Sequence, residues 1–238
     1  KIILKKYKNH SISKSDCIVV VGGDGFMLQA IKKFTRFQKP FYGINCGTFG
    51  FLMNKYKSKN LYKKIKNAKK TFINPLNIIV STSKNTKKRL MAINEVSLFR
   101  QSRQTASLNL KVGKKTIIKK LIGDGILVST PAGSTAYNLS VNGPILSLDS
   151  GKLAITPISP FRPRRWKGKV ISNTNSVKIN NLDPIKRPVA AVADNVEVRD
   201  VKYLSIKIDK KNKINLLYDN NRSLVKKIKI EQLIKNTR

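Results

Sequence analysis

Asp24 is the first residue whose surroundings point to chemistry. It lies in Gly22-Gly23-Asp24-Gly25, directly after the apolar run Ile18–Val21 and before Met27, Ala30, Ile31 and Phe34, which are spaced i, i+3, i+4, i+7. A buried strand, a glycine turn and a helix in that order aim backbone N–H groups and a helix N-terminus at an anion, usually phosphate. Glycines let the main chain approach a ligand and take φ > 0. A carboxylate in such a cradle repels phosphate unless it holds a cation or takes a proton from a hydroxyl. The same residues would also serve as a plain turn after a strand.

Further polar residues interrupt apolar stretches later on. Asn94-Glu95 breaks MAINEVSLF, and an adjacent amide and carboxylate can read base edges or sugar hydroxyls, or simply end a strand. Residues 123–144 are denser. A second Gly-Asp-Gly, centred on Asp124, opens an apolar run, and Ser129-Thr130-Pro131-Ala132-Gly133-Ser134-Thr135 forms a small-residue turn. A short helix is predicted over Thr135-Ala136-Tyr137-Asn138-Leu139-Ser140, with Ser134 as its N-cap. Small residues and hydroxyls there admit a flat ligand, and Tyr137 offers it an aromatic face. Asp194-Asn195 follows Pro188–Ala193 as a turn into Val196–Val198. His10 is the only histidine and stands in a polar loop, which rules out histidine triads. Cys17 and Cys46 have no metal-binding spacing and read as reduced core thiols of a cytoplasmic protein.

The elements that must position these residues change character along the chain. The first 70 or so residues read β-α-β-α. The second strand is Phe41–Asn45, and a lysine-rich amphipathic helix is marked by Leu61, Tyr62, Ile65 and Ala68. This pattern predicts parallel strands with helices on the faces, a Rossmann-like α/β domain. From Leu76 onward strand signals dominate: Leu76–Ser81, Leu90–Phe99, Ala106–Val112, Gly125–Ser129, Lys152–Pro157, Val177–Ile179 and Val189–Ala193. A last hairpin is predicted to join Tyr203–Ile208 to Ile214–Leu217 across Lys210-Lys211-Asn212. The expected organisation is thus an N-terminal α/β domain, residues 1–74, with the tail 219–238 returning to it. Residues 75–218 are expected to form a second, β-rich domain of β-sandwich-like build.

The chain carries 49 basic and 12 acidic residues, a formal charge of +37. Such charge attracts nucleic acid, anionic surfaces or small polyanions. Thirty-eight of the basic residues are lysines spread over nearly every segment. No basic base-reading helix, aromatic RNP-type pair or zinc finger accompanies them, so a dedicated nucleic-acid module is not expected. No apolar run approaches the ~18 residues that span a bilayer.

Taken in order, Gly22-Gly23-Asp24-Gly25, Gly43-Ile44-Asn45-Cys46-Gly47-Thr48-Phe49-Gly50-Phe51-Leu52, Asn94-Glu95, Asp124-Gly125 and Ser129–Tyr137 resemble the NAD kinase family. The first motif is shared with diacylglycerol-kinase-like and phosphofructokinase-like enzymes. The second glycine turn and the STPAGSTAY block are more specific. The resemblance implies transfer of the terminal phosphate of ATP to the 2′-hydroxyl of the adenosine ribose of NAD. It also implies a divalent metal (magnesium or manganese), ATP or polyphosphate as donor, and a homo-oligomer, a dimer or tetramer. It makes Asp24 the general base and sets Gly22, Gly23 and Gly25 against the nucleotide. Asn94, Glu95 and Asp124 would contact NAD, Thr135 to Ser140 would line the adenosine pocket, and Asp194 would lie near the site. Members begin with an extra strand and helix, so Lys1–Tyr7 would be the tail of that helix. Three positions depart from the family's pattern: Phe26 replaces a threonine, Ile122 an arginine, and Asn195 a glycine or histidine. A lipid kinase with the same glycine loop, or a basic nucleic-acid-binding protein on a kinase-like scaffold, are the alternatives.

Overall fold

The computed structural model describes residues 7, 9–47, 50–56, 60–220 and 224–235. The chain divides into two units, Lys1–Phe72 with Ile214–Leu224, and Ile73–Lys213 with Val225–Arg238.

The first unit is built on one sheet. Its strands lie in the order Ile18–Gly22, Phe41–Asn45, Ile214–Tyr218, Lys69–Ile73, with the short strand Asn54–Lys55 also on Phe41–Asn45. Ile18 pairs with Phe41, Leu216 also pairs with Phe41, and both ladders are parallel. The helix Asp24–Phe34 buries Met27, Leu28, Ala30 and Ile31, as its 3.6-residue period demands. Each of the three larger side chains, Met27, Leu28 and Ile31, contributes on the order of 1.5–3 kcal/mol when fully buried. A 3-10 turn, Thr35–Phe37, ends it before Pro40. The lysine-rich helix runs Leu61–Lys66. Of Lys1–Tyr7, read as the tail of a first helix, Lys1–Lys6 lie outside the described residues and Tyr7 is in a bend.

The predicted hairpin at the end of the chain does not form. Ile214–Tyr218 enters this sheet instead of pairing with Val201–Ile208. Leu216, Leu217 and Tyr218 are buried in succession, as in a strand covered on both faces, whereas Val201–Ile208 alternates. The Asp209 carboxylate accepts from the Lys211 and Asn212 N–H groups at 3.0 and 3.1 Å, and this turn leads the chain away. Asn54 then clips the inserted strand, donating to the Gly43 and Leu217 carbonyls at 3.1 and 2.9 Å.

The second unit is a sandwich of two six-stranded antiparallel sheets. One runs Lys87–Ala92, Leu76–Thr82, Val201–Ile208, Val177–Asn181, Ala106–Val112, Lys115–Gly123. The other runs Lys169–Ser172, Lys152–Ile158, Gly125–Ser129, Glu95–Arg100, Val189–Ala193, Val196–Val198. Leu76, Ile78, Leu110 and Leu204 from the first sheet share one core with Leu98, Ile126, Ile155 and Ala191 from the second. The stretch Leu90–Phe99, expected as one strand, is two strands in different sheets. The chain changes sheets at Ile93-Asn94, so Glu95 stands at a strand start.

The α/β and β-rich architectures are as expected, and no helix among the described residues is long and apolar enough to cross a membrane. His10 is exposed. Cys17 is half-buried, but Cys46 is exposed rather than a core thiol, because it follows the last residue of its strand where the chain turns outward.

Candidate active site

Asp24 occupies the first turn of its helix, with Gly23 as the N-cap residue. Its carboxylate spans two backbone donors of the second glycine turn: Phe51 N–H at 2.7 Å and Leu52 N–H at 2.9 Å. Two local motifs become one structure through that side chain. A carboxylate has about four lone-pair sites, so two remain for another donor. The Tyr218 hydroxyl, buried beside it, donates to the Phe51 carbonyl at 3.1 Å. Burial, and then the Asp24 charge, hold Tyr218 protonated well above the ordinary phenol range. The glycines do not work through positive φ. Among the described glycines only Gly113, Gly151 and Gly168 have it. What Gly23 and Gly25 supply is room, since a Cβ on either would meet nothing within 4 Å. Backbone N–H groups of the first helical turn, which have no intrahelical partner, are therefore approachable.

A second aspartate repeats the device in the sandwich. Asp194 takes a left-handed conformation, φ 52°, in the two-residue turn between Val189–Ala193 and Val196–Val198. Its carboxylate accepts from Ile93 N–H at 2.8 Å, Asn94 N–H at 2.9 Å and Glu95 N–H at 3.3 Å. It is both a turn former and the clamp that holds the crossover between sheets. Asn195 beside it is exposed.

Glu95 is mostly buried, and its Oε2 has no hydrogen-bond partner. Burial first, and the Asp194 charge second, push its carboxyl up to about 8. At neutral pH Glu95 keeps its proton and has a donor or acceptor to offer a polar ligand. Because the unfolded chain releases that proton near pH 4.5, the folded state binds more protons between pH 4.5 and 8. Stability must therefore fall as pH rises through that window. Glu95→Gln, neutral throughout, should match the native chain at pH 4 and exceed it by on the order of 2–4 kcal/mol at pH 8. Denaturant titrations at the two pH values measure this, and a difference that does not grow with pH would contradict it.

Asp124 leads into Gly125–Ser129, where Gly125 pairs with Phe99 and Ser129 with Glu95. Its carboxylate accepts from Arg100 Nε at 2.6 Å, and Arg100 Nη1 donates to the Ser102 carbonyl at 2.8 Å. Tyr137 is 38% exposed, and its hydroxyl pKa is raised by burial, then by the charges of Asp124 and Glu95. The sandwich thus brings Glu95, Asp124, Tyr137 and Asp194 together. Ser134 is not an N-cap: its hydroxyl donates to the Pro131 carbonyl at 2.7 Å and accepts from Leu146 N–H at 3.0 Å. The predicted helix is a 3-10 turn, Ala132–Thr135, followed by one α turn, Tyr137–Ser140. Asn138 is fully buried, bonding the Ser134 and Pro144 carbonyls and accepting from Thr156 Oγ1 at 2.7 Å. Its side chain fastens the block to strand Lys152–Ile158. Thr135, Ala136 and Leu139 are half-buried, and Ser140 is exposed.

The block is tied to Asn94 as well. Thr130 N–H donates to the Asn94 carbonyl at 2.9 Å, and Thr130 Oγ1 donates to Ile93 O at 2.7 Å. Gly133 lies so close to Asn94 that a Cβ would overlap its main chain. Sequence reasoning missed the Phe51 and Leu52 amides as partners of Asp24 in the first unit, and Arg100 and Thr130 as partners of Asp124 and Asn94 in the second. Only a pairing register, which no local pattern carries, would have revealed them.

Two family models match the chain: ATP-NAD kinase N-terminal domain over residues 2–70, and ATP-NAD kinase C-terminal domain over residues 93–217. The NAD kinase of Rhizorhabdus wittichii is 46% identical over 228 residues, covering 95% of this chain and 89% of that protein. The NAD kinase of Zymomonas mobilis is 44% identical over 230 residues, 96% and 89% of the two chains. Among solved structures, yeast NADH kinase complexed with NADH superposes with a TM-score of 0.82 at 23% identity, covering 95% of this chain and 68% of that one. An Archaeoglobus fulgidus NAD kinase in complex with ATP gives 0.75 at 24% identity, covering 95% and 91%. At those identities the two structures speak for the fold. With both halves of the chain matched in order and relatives this similar over nearly all of it, the chain belongs to the NAD kinase family, and is a phosphotransferase.

Proposed function

We propose that the chain transfers the terminal phosphate of ATP to the 2′-hydroxyl of the adenosine ribose of NAD, giving NADP, with Asp24 as general base. The observation that carries this reading is the Asp24 carboxylate. It is fixed by two backbone donors, keeps lone pairs to spare, and sits at a helix start beside open space over Gly23 and Gly25. Phosphoryl transfer needs in-line positioning, charge neutralisation and a proton acceptor, and little covalent chemistry from the protein. In this reading the ribose oxygen forms the new bond to the γ-phosphorus and its proton passes to Asp24. The bond to the β–γ bridging oxygen breaks and ADP leaves. Backbone N–H groups of the first helical turn face the phosphates.

Asn94, Glu95, Asp124 and Tyr137 bind the dinucleotide, with the protonated Glu95 as hydrogen-bond donor to a ligand oxygen. Asp194 and Asn138 hold these residues in place, and Thr135, Ala136, Leu139 and Ser140 border the adenosine. Among the described residues no three His, Cys, Asp or Glu side chains gather into a metal cage. A divalent cation, which would neutralise phosphate charge, fits best as one brought in on the triphosphate, the usual habit of magnesium. A homo-oligomer, dimer or tetramer, working in the cytoplasm completes the proposal.

Incubation with ATP and magnesium plus either NAD or diacylglycerol tests the substrate class. NADP formation is expected, and phosphatidate formation without NADP would replace this reading with the lipid-kinase one. Polyphosphate in place of ATP tests the donor. Gly25→Ala probes the phosphate cradle: it should leave the ligand-free chain as stable or about 0.5–1 kcal/mol more so, because alanine favours the helix. It should also lower kcat/KM at least tenfold by filling the open space. Unchanged kcat/KM would remove the phosphates from that spot.

A further inference from the structure

One cationic feature is not used by the site described above. Between strands Lys152–Ile158 and Lys169–Ser172 runs Phe161-Arg162-Pro163-Arg164-Arg165-Trp166-Lys167. The chain has eleven arginines, and three of them fall in these four consecutive positions, 162 to 165. Lysine serves at most other basic positions. Phe161 is 46% exposed, with the Arg162 and Arg164 guanidinium carbons 5.5 and 5.0 Å from its ring centroid. Arg162, Arg164, Arg165 and Lys167 are exposed, and among the described residues no carboxylate lies within 4.0 Å of the three guanidinium groups. Unpaired like charges gathered around one ring repel each other, and an anion would relieve that repulsion.

The loop is held in place. Phe161 and Arg162 N–H groups both donate to the Ile122 carbonyl, at 2.7 and 3.0 Å, and Ile122 N–H donates to the Arg162 carbonyl at 2.8 Å. Trp166 packs against the sandwich core. A Cβ on Gly123 would come within 2.9 Å of Ser159 O and 3.1 Å of Pro160 Cα, so the glycine of the second Gly-Asp-Gly is what lets the loop lie there. Asp124 N–H donates to Ile158 O at 3.0 Å, on the strand from which the loop departs. Carboxylates suit ribose hydroxyls, and guanidinium forks suit phosphate oxygens.

Resting on the nucleotide reading above, we propose that the Phe161–Lys167 loop is the phosphate-recognition element of the substrate bound beside Asp124, Arg162 and Arg164 gripping its linked phosphates. The linked phosphates are those of the dinucleotide or of the triphosphate donor, and the experiment separates the two.

The test compares the full chain with R162Q/R164Q, the charge-keeping R162K/R164K, and a control, K202Q/K207Q, on an exposed strand face. Calorimetry at 150 mM salt with inorganic tripolyphosphate reads phosphate binding without any need for catalysis. R162Q/R164Q should bind it about 10- to 100-fold more weakly, R162K/R164K should fall between, and the control should match the native chain. In the kinase assay a raised KM for NAD alone assigns the dinucleotide, and a raised KM for ATP alone the donor. Adenosine, which has no phosphate, should bind all variants equally. Equal tripolyphosphate affinity across the variants, or KM values unchanged for both substrates, overturns the proposal. So does a loss shared by adenosine. A native chain that binds tripolyphosphate through the loop but neither binds nor phosphorylates NAD refutes the NAD reading and leaves the loop an anion site of another kind.

Discussion

Replacing Asp24 by asparagine is expected to lower turnover by a factor of roughly 10²–10⁴, the range in which a positioned base contributes, while NAD affinity changes little. The geometry sharpens this expectation. An asparagine side chain has one acceptor oxygen where the aspartate has two, so either Phe51 N–H or Leu52 N–H must face an amide nitrogen. That costs about 1–3 kcal/mol, and a partial loosening of the second glycine turn will accompany the kinetic defect. Two measurements separate the effects. Thermal unfolding reads the loosening, and single-turnover kinetics at saturating NAD and ATP read the chemistry. If turnover drops no more than the loss of folded protein accounts for, Asp24 is a structural clamp only and the base must be sought elsewhere. Asp194 spans backbone amides at the sheet crossover in the same way, so a purely structural role for Asp24 is a real outcome of the comparison.

Gly133→Ala should damage the sandwich severely. Its added carbon would overlap the Asn94 carbonyl and Cα, which are backbone atoms with no rotamer to escape into. Asn94 is itself held by Asp194 and by Thr130 N–H. Overpacking of this kind costs about 3 kcal/mol, a fall in Tm of about 6–12 °C in a chain of this size. NAD binding should be lost with it, because displacement of Asn94 carries Glu95 along. Calorimetric melting and equilibrium NAD binding give the two readouts. Gly25→Ala provides the contrast, since it should reduce activity without lowering Tm. Native-like melting and native NAD affinity in Gly133→Ala would mean that the STPAGSTAY block is not seated on Asn94 in solution.

The sequence alone determined a good deal about this protein. Strand, turn and helix around Asp24 were legible because each is written in a local period: β-branched residues in a row, glycines together, apolar positions at helical spacing. Alternating strands from Leu76 onward announced the β-rich half for the same reason. The order of its motifs pointed to the family. What local patterns cannot carry is which distant backbone a side chain will meet. The Asp24 carboxylate reaches amides 27 and 28 residues on, and Asp194 reaches back 100 residues to Asn94. Asp124 finds Arg100 because strands Glu95–Arg100 and Gly125–Ser129 share a register. Leu90–Phe99 reads as one strand by periodicity, yet the chain changes sheets inside it. Ile214–Tyr218 looks like half of a hairpin, yet it joins, in parallel with Phe41–Asn45, a sheet begun at Ile18. Glu95 reads as an ordinary carboxylate, and only its burial against Asp194 makes it hold a proton at neutral pH. In each case tertiary structure decided the outcome, because burial and pairing between remote segments set the energies of charges, hydrogen bonds and close contacts.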